Sequence, residues 1–258
     1  MNEEFTKPVT DLFKEIEEAT GKPVKVEKTT ELLSYAGVNV AGSLDSSHLF
    51  RYRDEKNQYL QFLAAHECLH VLRIWEAGPW ERVELDASGK ELDNAFRDLF
   101  GVSNRFLVED PAGAQHIFRV LLDNLRSSVL DLWVDEEVKR RFKGTEIEAQ
   151  QREYFSKMRA KLQGGMSPKN QAELPPLAFH NINATNYAFY RLIACQFVDA
   201  EDIIDSDFSS HPEIVKHGDQ LVALTRRNKL VTFGDDRRLV DKWAISLGML
   251  NWYHWKPL

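Results

Sequence analysis

Apolar residues recur at helical spacing along most of this chain and alternate in only a few short stretches. Leu12, Phe13 and Ile16 predict a helix over 10–18, closed by Gly21-Lys22-Pro23. Residues 24–28 and 48–53 alternate and predict strands, with Val38-Asn39-Val40 as a short third candidate. Residues 42–47 read as a loop and 54–57 as a turn into a helix over 57–74. That helix is apolar nearly all round, so it should be buried; Gly78-Pro79 stops it. A connection around Ser88-Gly89-Lys90 leads to a helix over 91–107, whose apolar face is Leu92, Phe96, Leu99 and Phe100. After a break at 109–113, a long helix is expected over 114–142, then a charged, exposed helix over 145–162. Further helices are expected over 183–198, from Pro212 onwards, and over 235–250. The pattern gives an α+β fold, mostly α, with a small N-terminal sheet. Gly164-Gly165, Ser167-Pro168 and Pro175-Pro176 mark 164–176 as a loop or linker between residues 1–163 and a helical C-terminal region, 177–258.

Inside the buried helix, His66-Glu67-Cys68-Leu69-His70 spells H-E-x-x-H. Residues four apart lie one turn apart on the same helix face, so His66 and His70 can present two imidazoles to one metal ion. Glu67 beside them can reach a water on that metal. Cys68 points to the other side of the helix and reads as a small core residue. Two His and a Glu in a buried helix are costly unless something satisfies them, and a metal does so.

Catalytic zinc takes three protein ligands and keeps a fourth position open. The long helix offers the third. Asn124, Ser128, Asp131 and Asp135 are spaced four, three and four, a narrow polar strip cut through apolar positions. A helix facing a cation shows such a strip, and so does an ordinary exposed helix edge. Asp131, Asp135, Glu136 and Glu137 all remain ligand candidates.

These two stretches together resemble the zincin metallopeptidases. In the gluzincin branch, typified by thermolysin, the third ligand is the first acid of E-x-x-x-D on a later helix, and the second acid orients a zinc-binding His. Asp131-Leu132-Trp133-Val134-Asp135 reads D-x-x-x-D, and it is also similar to shorter metallopeptidase domains that carry Asp in place of that Glu. The resemblance implies a zincin-like core, a zinc cofactor on His66, His70 and Asp131, Asp135 as the outer partner of a His, and Glu67 as general base. It implies a peptide or protein substrate cleaved by metal-activated water, with His116, His180, Tyr187 and Tyr190 as candidates to stabilise the oxyanion. A zincin-like metal-binding module without peptidase activity, acting in regulation or interaction, is the alternative. Asp is one methylene shorter than Glu, so the two helices must come closer than in that branch. The metzincin extension H-x-x-G-x-x-H is absent after His70, and no Cys precedes Cys68 to supply the ligand a peptide deformylase needs.

Composition narrows the partners. The formal charge is −7, and Lys139-Arg140-Arg141 and Arg226-Arg227 are short basic runs, so no nucleic-acid partner is expected. Two cysteines make no disulfide framework. No run of some twenty apolar residues predicts a membrane span, and the first residues lack a signal peptide's apolar core, so a cytoplasmic protein is expected. The 48–53 strand, running up to the motif helix, is expected to lie beside the cleft, where it could pair with an extended peptide. His48 on it reads as a sheet-face or loop residue.

Overall fold

The computed structural model describes residues 4–32, 35–53, 58–101, 110–193, 196–197 and 207–258. The turn expected at 54–57 and the end of the helix expected to reach 107 lie outside them. The chain falls into two compact units, neither a continuous stretch. One comprises Met1–Glu84, Trp133–Tyr154 and Pro257–Leu258; the other comprises Leu85–Leu132 and Phe155–Lys256.

The first unit opens with helix α1, Lys7–Thr20, which buries Val9, Leu12 and Ile16 and ends at Gly21 with φ 70°, a left-handed turn that glycine adopts without steric cost. Strands β1 (Val24–Lys28), β2 (Ala36–Asn39) and β3 (His48–Tyr52) form one sheet in the order β1-β3-β2. β1 runs parallel to β3 and β2 antiparallel to it. Alternation explains which face is covered: His48, Phe50 and Tyr52 are buried, and Leu49 and Arg51 are half-buried. The strand expected to receive a peptide, 48–53, is therefore the central one, with both edges already paired. Its backbone has no ladder left to offer, and β2 is the edge nearer the motif helix.

That helix, α2, spans Leu60–Trp75, packs on α1 and β2, and has twelve of its sixteen residues buried. Its apolar surround makes each polar side chain on it a group that needs a partner.

Helix α3, Lys90–Phe100, follows strand β4, Val83–Asp86. Helix α4, Pro111–Arg141, starts inside the expected break. Pro111 is tolerated at the first helical position because its missing N–H has no partner there anyway. Helix α5, Glu146–Gly165, is not the exposed helix its charge suggested: Ile147, Gln151 and Phe155 form a buried stripe at four-residue spacing. The expected linker carries the end of α5 and a short helix α6, Pro168–Glu173, whose Asn170 N–H donates to the Ser167 hydroxyl at 3.3 Å.

In the second unit, α7 (Pro176–Ile193) packs against α8 (Pro212–Arg226), which also packs on α9 (Phe233–Leu247). Gly218 permits the approach of α7 and α8, since a Cβ there would meet Tyr187 Cδ1 at 2.3 Å. Thr232 and Asp235 cap the start of α9 reciprocally. Trp243 is fully buried, and its indole N–H donates to Thr225 Oγ1 at 3.1 Å. The helix expected to reach residue 250 stops at Leu247; Leu250–Trp252 forms a 3-10 turn and His254–Pro257 forms strand β5, paired with β4. Among the described residues no helix is long and apolar enough to cross a membrane.

Candidate metal centre

The position of α2 is set at its first turn. The Phe62 N–H, one of the donors a helix start leaves unpaired, gives its hydrogen to Gln150 Oε1 on α5 at 3.1 Å. Gln61, also in that turn, accepts from the Thr6 backbone at 2.8 Å and donates to the Glu4 carbonyl at 2.8 Å. One turn on, the α2 face that carries the motif histidines meets α4. Arg73 is buried, with its guanidinium 4.4 Å from the centre of the Trp133 ring.

On that face His66 is buried, and its Nδ1–H donates to Asp135 Oδ1 at 3.2 Å. Asp135 is 1% exposed. With the ring hydrogen on Nδ1, Nε2 of His66 carries the lone pair. It lies 3.1 Å from His70 Nε2, with the two rings inclined at 74°. Asp131, one helical turn before Asp135 on the continuous α4, completes a group: ligand atoms of His66, His70 and Asp131 all lie within 4.8 Å of one another.

Two imidazole nitrogens and a carboxylate oxygen are the donor set of a zinc or similar first-row divalent site. Bonds of about 2.0–2.1 Å in tetrahedral geometry put two ligand nitrogens about 3.3 Å apart. The 3.1 Å separation of the two Nε2 atoms fits that value. The Asp131 carboxylate oxygen lies within 4.8 Å of both nitrogens. The residues present therefore fit a metal, and the Asp135 carboxylate on the outer nitrogen of His66 suits one as well.

The other acids divide clearly. Asp135 meets the far nitrogen of His66. Glu136 is exposed, and Glu137 accepts from Arg140 at 2.7 Å and Arg141 at 2.6 Å, whose guanidinium groups hold its carboxyl below the usual range. Glu67 is half-buried on the side of α2 that faces the sheet, and its Oε2 accepts the Val38 N–H of edge strand β2 at 3.1 Å. Cys68 is buried as a free thiol, and burial pushes its pKa well up, with Glu67 nearby adding to the effect.

The four oxyanion candidates stand differently. His180 is bonded to His217 at 2.8 Å, and the Tyr187 hydroxyl takes a hydrogen from Arg191 at 2.6 Å. Tyr190 is buried and His116 exposed on α4.

Sequence reasoning missed Gln150 and Gln151. Gln151 is fully buried, and its Nε2 donates to the Asp135 carbonyl at 3.0 Å and to Asp135 Oδ1 at 3.2 Å. The signal was present: Ile147 and Phe155 lie four residues either side of Gln151, marking its face as the inner one.

No protein-family model, curated protein or solved structure matches the chain. The case for chemistry rests on the residues themselves.

Proposed function

We propose that this protein is a metal-dependent hydrolase, most simply a zinc metallopeptidase acting on peptide or protein substrates. The observation that supports it is the convergence of His66, His70 and Asp131, with Asp135 on the outer nitrogen of His66. His66 and His70 would hold the ion through Nε2, and Asp131 through a carboxylate oxygen. When bound, such an ion supplies a Lewis acid and an acidified water. Asp135 keeps the hydrogen of His66 on Nδ1, so that Nε2 offers its lone pair. Glu67 keeps Oε2 on the Val38 N–H and has Oε1 to take a proton from the attacking water and return it to the leaving amine. The proposal includes a cytoplasmic protein, in keeping with the free Cys68 thiol.

Elemental analysis of the purified chain, with hydrolysis of an unfolded protein, tests this. The expectation is one metal per chain, and in Glu67→Gln a loss of about 10²- to 10⁴-fold in kcat with metal content retained. A Glu67→Gln variant as active as the parent removes the general-base role. A second reading, a metal-binding module without hydrolysis acting in regulation or interaction, draws on one observation: the Glu67 carboxylate is already engaged by the edge strand. Full metal content with no hydrolysis by the parent chain favours it.

A further inference from the structure

Gln151 has no place in the chemistry above, yet it is 0% exposed and its donor atom is spent entirely on Asp135. Its amide can sit only one way. Both atoms facing Nε2 are acceptors, the Asp135 carbonyl oxygen and Oδ1, so a flipped amide would set oxygen against oxygen. In the orientation it takes, Gln151 Oε1 is buried with no hydrogen-bond partner. A fold free to choose would put an apolar side chain here, level with Ile147 and Phe155 on the same stripe. An orphaned buried acceptor in a native chain calls for a reason.

The reason lies one bond further on. Asp135 Oδ1 receives two hydrogens, one from Gln151 Nε2 and one from His66 Nδ1. The second hydrogen bond from Gln151, to the Asp135 carbonyl, ties the same amide to the α4 backbone. The carboxylate is thereby fixed in rotamer, and the His66 ring with it. The neighbouring Gln150 holds the first turn of α2, so two consecutive residues of α5 grip the two helices that carry the histidines and their outer acid.

We propose that Gln151 is a positioning residue of the metal centre: through Asp135 it sets the ring orientation and tautomer of His66. This rests on the metal reading given above. Gln151 touches neither metal nor substrate, and its influence passes through a carboxylate and an imidazole.

The test is a double-mutant cycle read by metal affinity, with the full chain and Zn(II) in competition with a chelator. Gln151→Met and Gln151→Leu keep the volume and remove the donor. Each removes the orphaned oxygen but also takes two hydrogens from the buried Asp135, so both should fold with melting temperatures at or somewhat below the parent's. Both should bind Zn(II) about tenfold more weakly, the lower end of the range for outer partners of a metal ligand. Asp135→Ala should cost about 10- to 100-fold; Asp135→Asn serves if the alanine variant does not fold. The pair Gln151→Met with Asp135→Ala should bind within about a factor of two of Asp135→Ala alone, because the amide then has nothing to act through. Co(II) in the site adds a spectroscopic readout: its visible bands should move in Gln151→Met, as altered ligand geometry requires. Parent-like Zn(II) affinity in both Gln151 variants overturns the proposal, and so do losses that multiply in the double variant. If the parent chain binds no Zn(II), or His70→Ala binds it equally well, the metal centre itself falls and the role of Gln151 with it.

Discussion

Two hydrogen-bonded histidine chains, one in each unit, differ at a single point. In the first unit Gln151, Asp135 and His66 run in series, and the series ends on an Nε2 that faces another imidazole nitrogen and lies within a group containing an acid. In the second unit His180, His217 and Ser246 also run in series, at 2.8 and 3.0 Å, and join α7, α8 and α9. There, however, both nitrogens of His217 are taken by protein partners. Burial lowers the pKa of His180 and His217 alike, which disfavours the charged form of each. Burial and hydrogen bonding are common to the two chains. What separates them is whether a nitrogen is left facing other metal donors, and only the first chain has that.

The contrast is broken most directly by removing a ligand. His66→Ala or His70→Ala should reduce Zn(II) affinity on the order of a hundredfold to a thousandfold, one ligand's share of the roughly 10–16 kcal/mol of a protein zinc site. His217→Ala should leave it unchanged. Chelator competition with the three variants side by side decides it. Equal losses in all three would mean that the first-unit chain is a packing device like the second.

The two chains were also unequally legible beforehand. H-E-x-x-H is a local pattern, and helical periodicity alone carries His66 and His70 to one face. Asp131 and Asp135 were legible as a strip, because four-residue spacing on one helix is again local. Which acid faces the pair and which stands behind it depends on the roll of α4 against α2, a packing fact that no spacing within either helix encodes. Gln151 was hidden because the charged residues around it on α5 outweigh two apolar neighbours in any reading by composition. The sheet order was out of reach for a similar reason: alternation marks 24–28 and 48–53 as strands but not that β3 lies between the others. Strand β5 is hidden in the sequence, since His254–Pro257 has too few residues for a period to show.

His48 sharpens the comparison from the other side, as a histidine in the first unit with no nitrogen to spare. Its Nδ1 accepts the Ala41 N–H at 3.0 Å, so the ring hydrogen lies on Nε2, 3.1 Å from Thr20 Oγ1. It is fully buried, with Trp75 edge-on at 5.2 Å. Burial first, and the Lys22 charge second, push its pKa down from 6.5 to about 4. Protonation would also set an N–H of the ring against the N–H of Ala41. A histidine held below its unfolded value stabilises nothing by charging: its full contribution is present above pH 6.5 and is lost as pH falls towards 4. The loss over that window should approach about 3 kcal/mol. Urea midpoints at about pH 7, about pH 5.5 and about pH 4.5 should fall more steeply for the parent than for His48→Gln, while Zn(II) affinity at about pH 7 stays parent-like in the variant. Parallel slopes would show that His48 can charge inside the fold.

The smallest effect belongs to the second chain. Ser246 stands in the last turn of α9, half-buried, and its hydroxyl meets His217 Nε2 at 3.0 Å. The trio of a serine and two histidines has the connectivity of a nucleophile, a base and an orienting group. Its setting argues otherwise. The end of a helix presents carbonyl oxygens, the wrong polarity for a developing oxyanion. The Gly248 N–H just beyond is already given to the Ala244 and Ile245 carbonyls. The chain therefore works as a tie between helices. Ser246→Ala should lower stability by about 0.5–1.5 kcal/mol, one net hydrogen bond, and leave metal content and hydrolysis as they were. Thermal melting and a parallel activity assay measure both. Loss of hydrolysis in Ser246→Ala at parent-like metal content would move the chemistry to the second unit and reverse the contrast between the two histidine chains.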